Sequence, residues 1–481
     1  MTAAWNNLYD PDVSILPTTH LYVKLPCCLT DNTGCDDVPC RDFGDPPCVP
    51  GNPDWPDCLK DDTGGGAIVL NDCGCAVPAN IRNPAGCIQV EDTQLGMMGV
   101  KSVKVITMNG LFSIHRTFTD ENGCFKIDKN YSGKGWVWVR FTNEFATIRP
   151  LLNWSKIKYL FPVTDYAGSL TLPFNNIHIV YKQNANPLSS MSVFWNAATV
   201  HNAILDYREF AETDGLTLPP ANMTVVLSDA AFGASGAAPM LGSTAGGDPN
   251  YILSYLFNGY NPDNILSVVS LYLPDLWLTY TPDRPSDRIS ETVYHESGHA
   301  SHFRQVNSSW WSDIRTHAIF NLGYGTIPFN SIGSFPDKIA LAEAWGFFIG
   351  PVYADRKYGL NFTGPTRFKY LNILEGGKGL DCNPDLAVFE ECDFRFVNGF
   401  IPRGLILDLI DDNNNDYSSP GAFEDLNVTD DVSGFTIPGI FQHYHSALGS
   451  LLQLKALLEP DLQTSQTIID LDNLFENYEP L

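Results

Sequence analysis

Residues 294–302, Tyr294-His295-Glu296-Ser297-Gly298-His299-Ala300-Ser301-His302, are the stretch on which the reading of this chain turns. Upstream, Ser286 stands behind Pro285 where it can cap a helix, Asp287 suits the positive end of that helix, and an apolar pattern continues through Ile289, Val293, Ala300 and Phe303. The spacing therefore predicts one helix. Positions i and i+4 lie on one face a turn apart, so the imidazoles of His295 and His299 can reach a single ion while Glu296 projects beside it. With ten histidines in the chain, a chance HExxH is expected on the order of once per hundred such sequences, so chance explains it poorly. His302 follows on the same face. A fourth protein ligand would close the position catalysis needs, so His302 reads as a packing residue or one that supports the ligands from behind.

The motif resembles the zincin metallopeptidases, and HExGHAxH is most similar to their gluzincin branch. The metzincin extension would place Gly at 302 and a ligand at 305, where this chain has His302 and Gln305. What the resemblance implies is an α+β zincin-like domain in which His295 and His299 hold Zn²⁺, Glu296 is the catalytic base, and a Glu on the next long helix is the third ligand. Glu343, in the apolar stretch Ile339-Ala-Leu-Ala-Glu-Ala-Trp-Gly-Phe-Phe348, fills that role, because an unpaired carboxylate there would be costly and a metal would satisfy it. Asp313 and Asp337 stay open as alternatives, and residues 307–338 are expected to form an inserted loop. Family members also supply a Tyr or His to the oxyanion from the C-terminal part, which points to the cluster His443, Tyr444 and His445. Where several gluzincins carry an Asp four residues after the ligand Glu, this chain has Phe347. Asp408, amid Leu405, Ile406, Leu407, Leu409 and Ile410, is the substitute as a carboxylate that orients a ligand histidine.

Elsewhere the chain is read for its organisation. Its 481 residues exceed the size at which single cores stop growing, so several domains are expected. A net charge of −26 and no visible basic patch exclude nucleic acid as a partner. No apolar run reaches the length of a transmembrane segment. Ten of twelve cysteines, from Cys27 to Cys124, crowd one Pro-, Gly- and Asp-rich region without paired CxxC spacings, so they read as a disulfide framework and an extracellular setting. They are expected to pair among themselves, and Cys382 with Cys392. Met1 to Trp5 shows no basic stretch followed by an apolar one, so no leader is legible there.

Alternating Val103 and Val105, then Phe125 and Ile127, then Val137, Val139 and Phe141 mark short strands. The turn Thr119-Asp120-Glu121-Asn122-Gly123-Cys124-Phe125 resembles the TDxxGxF turn of carboxypeptidase-regulatory-like domains, which implies a small transthyretin-like β-sandwich, an accessory module without chemistry. A helix is expected over Ser190–Thr213 with Gly215 as its stop, a strand at Met223–Leu227, and another strand or buried run at Leu266–Leu273. The acidic run with Asp411, Asp412 and Asp416 lacks the Gly and Glu of an EF-hand and is a candidate for looser Ca²⁺ binding. Ala237–Ser243, flanked by glycines and carrying Pro239, is expected to be an edge strand on which an extended peptide lies.

The sequence thus divides into a disulfide-stapled region at 1–90, a β-sandwich at 91–155 and a zincin-like metallopeptidase domain at 160–481. The expected function is a secreted or cell-surface zinc peptidase acting on peptide or protein substrates. The competing reading is a non-catalytic cell-surface adhesin or structural protein that keeps a zincin fold.

Overall fold

The computed structural model describes residues 69–71, 73–110, 113–152, 156–184, 186, 189–229, 236–243, 272–280, 284–320, 334–359, 371, 374, 396–397, 401–410, 431–432, 434–462 and 464–478. Helices and several β-sheets mix along the chain. Strands β1 (Val69–Leu70) and β2 (Ala76–Val77) form a small hairpin. One four-stranded sheet has the order β10-β8-β5-β6, from β5 (Lys104–Asn109), β6 (Ser113–Phe118), β8 (Gly135–Arg140) and β10 (Thr164–Leu170). A second is built on β3 (Ala85–Asp92), which pairs with β4 (Gly96–Gly99), β7 (Cys124–Lys126) and β11 (Ile177–Tyr181). Alternation puts Val105, Val137 and Val139 on the inner face of the first sheet, and Ile88 and Ile179 line the second, all fully buried in one continuous core.

The turn at 119–125 is built as its sequence suggests. Asp120 Oδ1 accepts from the N–H groups of Asn122 and Cys124 at 2.9 and 2.8 Å. Gly123 takes φ +77°, and a Cβ there would meet the Ile88 carbonyl oxygen at 2.3 Å, so only glycine lets the turn lie against β3. Cys73 pairs with Cys87 and Cys75 with Cys124, within the expected N-terminal set. Cys27, Cys28, Cys35, Cys40, Cys48, Cys58, Cys382 and Cys392 lie outside the described residues, as do the run 266–271 and the acidic run 411–430.

The strands of these two sheets run from Ala85 to Tyr181. Within that range β9 (Ala146–Leu151) leaves them for a third sheet, ordered β13-β14-β12-β9. Here β12 (Met223–Asp229) runs parallel to β9 and to β14 (Leu276–Tyr280), and β13 (Gly236–Ala237) adds antiparallel at the edge. Parallel pairing needs a crossover, and helix α1 (Ser190–Thr213) lies in the one between β9 and β12. It ends where Gly215, at φ +70°, turns the chain and Leu216 N–H reaches back to the Ala211 carbonyl.

Helix α2 (Ser286–Val306) carries the histidine motif, and its main helical neighbour is α4 (Ser334–Tyr358). Between them α3 (Ser308–Phe320) occupies much of the stretch expected to be a loop. Its Trp310 and Trp311, nearly fully buried, make it a packed element. The short α5 (Leu405–Asp408) and α6 (Ile437–Phe441), then α7 (Leu451–Leu458) and α8 (Ser465–Asn477), complete the described helices.

Candidate metal centre

The N-terminal cap of α2 is Pro285, and Ser286 is the first helical residue. Its side chain is engaged elsewhere, donating to Asp92 Oδ1 at 2.8 Å. One face of α2 carries His295 and His299, whose Nε2 atoms stand 3.0 Å apart. Glu343 projects from α4 opposite them, its Oε2 atom 3.4 Å from His295 Nε2 and 3.6 Å from His299 Nε2. Four-coordinate zinc with ligand distances of roughly 2.0–2.1 Å needs ligand atoms about 3.3 Å apart, so this triangle fits a tetrahedral ion. Asp313 pairs instead with Lys338 at 3.1 Å, and Asp337 is exposed at the start of α4.

The helices come this close because of small residues. A Cβ on Gly346 would lie 2.8 Å from ring atoms of both His295 and His299, and one on Gly298 would lie 2.5 Å from Ile349 Cγ2. Gly346 is thus the seat on which both imidazoles rest. It sits one turn after Glu343, a spacing the sequence displays but which gains meaning only once α4 is known to face α2.

Glu296 is buried, with 5% of its surface exposed. Its Oε2 has no hydrogen-bond partner among the described residues. Burial pushes its carboxyl up to about 8; the proximity of His295 opposes that rise and the charge of Glu343 adds to it. Glu343 shows the reverse balance. Burial alone would raise it, but the imidazoles, His299 foremost, hold it well below the usual carboxylate range. A Cβ on Gly236 would lie 2.5 Å from Glu296 Oε1, so strand β13 runs beside the carboxylate; of the edge strand expected over Ala237–Ser243 only Ala237 is strand, and Ala238–Ser243 is irregular chain and turn. Trp311 closes this side, its ring 5.8 Å from that of His299 and its Nε1 donating to the Ala238 carbonyl at 3.2 Å.

His302 is fully buried among Trp310, Trp311 and Tyr444, with ring centroids 4.7, 5.6 and 5.0 Å away. Neither of its ring nitrogens has a partner among the described residues. Burial first, then His299, holds it well below its usual value, so it packs as a neutral ring. Tyr444 is fully buried beside it, with its hydroxyl equally unpartnered. His443 faces Asp461 at 3.3 Å, and His445 Nδ1 accepts from the Ala447 N–H at 3.2 Å. Those contacts engage both histidines locally. Asp408 is buried and accepts from the Tyr478 hydroxyl at 2.7 Å. Phe347 meets the His295 ring edge-on at 4.9 Å. Asp411, Asp412 and Asp416 lie outside the described residues.

Cys73, Cys87 and His178 also gather ligand-type atoms. Both thiols are consumed in one disulfide, which removes the thiolates a metal would need. No helix among the described residues is long and apolar enough to cross a membrane. In comparisons with protein-family models, with curated proteins and with solved structures, nothing matches this chain.

Proposed function

We propose that the chain is a zinc-dependent peptidase that works outside the cell, with His295, His299 and Glu343 as metal ligands and Glu296 as general base. The observation that carries this reading is the convergence of two imidazole Nε2 atoms and one carboxylate oxygen from two helices at 3.0–3.6 Å. Three protein ligands leave a position open, as catalytic zinc sites do. When bound there, zinc supplies Lewis acidity toward a substrate carbonyl and toward water.

The chain's own residues account for the rest. Glu296, beside the ligands on the same helix, accepts a proton from the attacking water and returns it to the leaving amine. The backbone of β13, the edge of its sheet among the described residues, lies against Glu296. A peptide added along that edge by main-chain hydrogen bonds would pass the base, in a mode that tolerates many side chains. The disulfides Cys73–Cys87 and Cys75–Cys124 suit an oxidising compartment.

The test pairs metal analysis with casein cleavage by the parent and by Glu296→Gln. The expected result is about one zinc per chain in both proteins, and activity lower by roughly 10²–10⁴-fold in the variant. Zinc without cleavage in the parent supports the non-catalytic surface-protein reading instead. Absence of zinc sinks the metal centre.

A further inference from the structure

The β-strand region at 85–181 is bonded to helices α2 and α4, which carry the candidate ligands, at two buried junctions. At the first, Asp92, the last residue of β3, accepts from Ser286 Oγ at the start of α2 (2.8 Å) and from the Tyr358 hydroxyl at the end of α4 (3.0 Å). Its neighbour Thr93 completes a reciprocal pair with Ser286: Thr93 N–H donates to Ser286 Oγ at 2.9 Å and Ser286 N–H to Thr93 Oγ1 at 3.0 Å. At the second, Asp206 of α1 lies between Lys101 of the β-strand region at 2.9 Å and Lys357 of α4 at 2.8 Å. Tyr294, which precedes the ligand His295, points its hydroxyl at the same carboxylate from 3.5 Å. Both carboxylates are 6% exposed.

The geometry points to Asp92 and Asp206 as positioning residues, through which the β-strand region sets the register of α2 against α4. This inference rests on the metal reading above. His295 and His299 come from α2 and Glu343 from α4, so the ligand triangle exists only at one axial offset of the two helices. Apolar packing alone tolerates small slides, because dispersion contacts lack direction. A carboxylate holding one hydroxyl from each helix does not, because hydrogen bonds fail steeply with distance and angle. Asp92 bonds the N-terminal residue of α2 and a C-terminal residue of α4, so it fixes where the antiparallel partners begin and end.

The test measures zinc dissociation constants by chelator competition, and visible spectra of the cobalt-substituted protein, for the full chain and for Asp92→Asn. The control is Val137→Ala, in the core of the β-strand region on the sheet that does not carry Asp92. All measurements are made well below every unfolding midpoint. The expected result is an affinity lower by about tenfold in Asp92→Asn, as for other groups that support metal ligands from behind, with an altered cobalt spectrum. Val137→Ala should lose thermal stability but keep the parent's affinity and spectrum. Equal affinity and identical spectra in parent and Asp92→Asn overturn the positioning role and leave the metal centre standing. A parent that binds no zinc overturns both. Should Asp92→Asn fail to fold, Tyr358→Phe removes one hydroxyl from the same carboxylate and is read by the same criteria.

Discussion

The two ends of helix α2 are held by opposite means. Its N-terminal end is a polar junction in which Asp92, Thr93 and Ser286 satisfy one another. Its C-terminal half is set in aromatic rings, where His302, Tyr444 and Trp345 bury polar atoms with no partner among the described residues. The first end gives direction, since its bonds have one good geometry. The second gives a low-dielectric wall, in which the charge of Glu343 acts more strongly than in water. The triangle of His295, His299 and Glu343 lies between them.

The sharpest break of this contrast comes at Asp206. Two lysines outweigh burial and hold its carboxyl below the ordinary value of 3.8. Its contribution to stability is therefore complete above that value and is lost as the pH falls through the lower folded value. Asp206→Asn should lose about 3 kcal/mol near neutral pH, and urea titrations of parent and variant should converge in acid. A gap that persisted unchanged below the folded value would deny the ion pairs their role.

Gly346→Ala probes the middle of the helix pair. Its new methyl would lie 2.8 Å from both ligand rings, and zinc affinity should fall by about a hundredfold, the upper end for residues that support ligands. Unchanged affinity would show that the imidazoles do not need this seat.

A matched pair of hydroxyl deletions then compares the two ends directly. Tyr358→Phe removes a hydroxyl bonded to Asp92 and should cost about 1–2 kcal/mol. Tyr444→Phe removes one that is buried without a partner, and the smaller, opposite outcome is a gain of up to about 1 kcal/mol. Equilibrium unfolding of both variants checks the signs, and equal losses would erase the distinction drawn here.

Much of the fold was legible locally. Helix α1 matches its expected span, Ser190–Thr213, because apolar spacing and Gly215 act within a few residues. The turn at Gly123 was legible for the same reason. The pairing of β11 with β3, parallel and across about ninety residues, was not legible, because strand periodicity says nothing about partners. Likewise α3 was expected as loop, since its helix is held by Trp310 and Trp311 against the histidine helix, a tertiary cause.

The sequence by itself determined that His295 and His299 share one helical face with Glu296 beside them, because an i, i+4 spacing is a property of the helix alone. It also marked Glu343 as a carboxylate needing a partner, because its neighbours are apolar. Only the tertiary structure decided that Glu343 reaches both imidazoles, that Gly346 seats them and that Gly236 brings an edge strand to Glu296. It alone turned Ser286 from a helix cap into a bond to the end of β3. Each of these depends on where two distant segments stop relative to one another, and that is settled by packing and by directional bonds between segments.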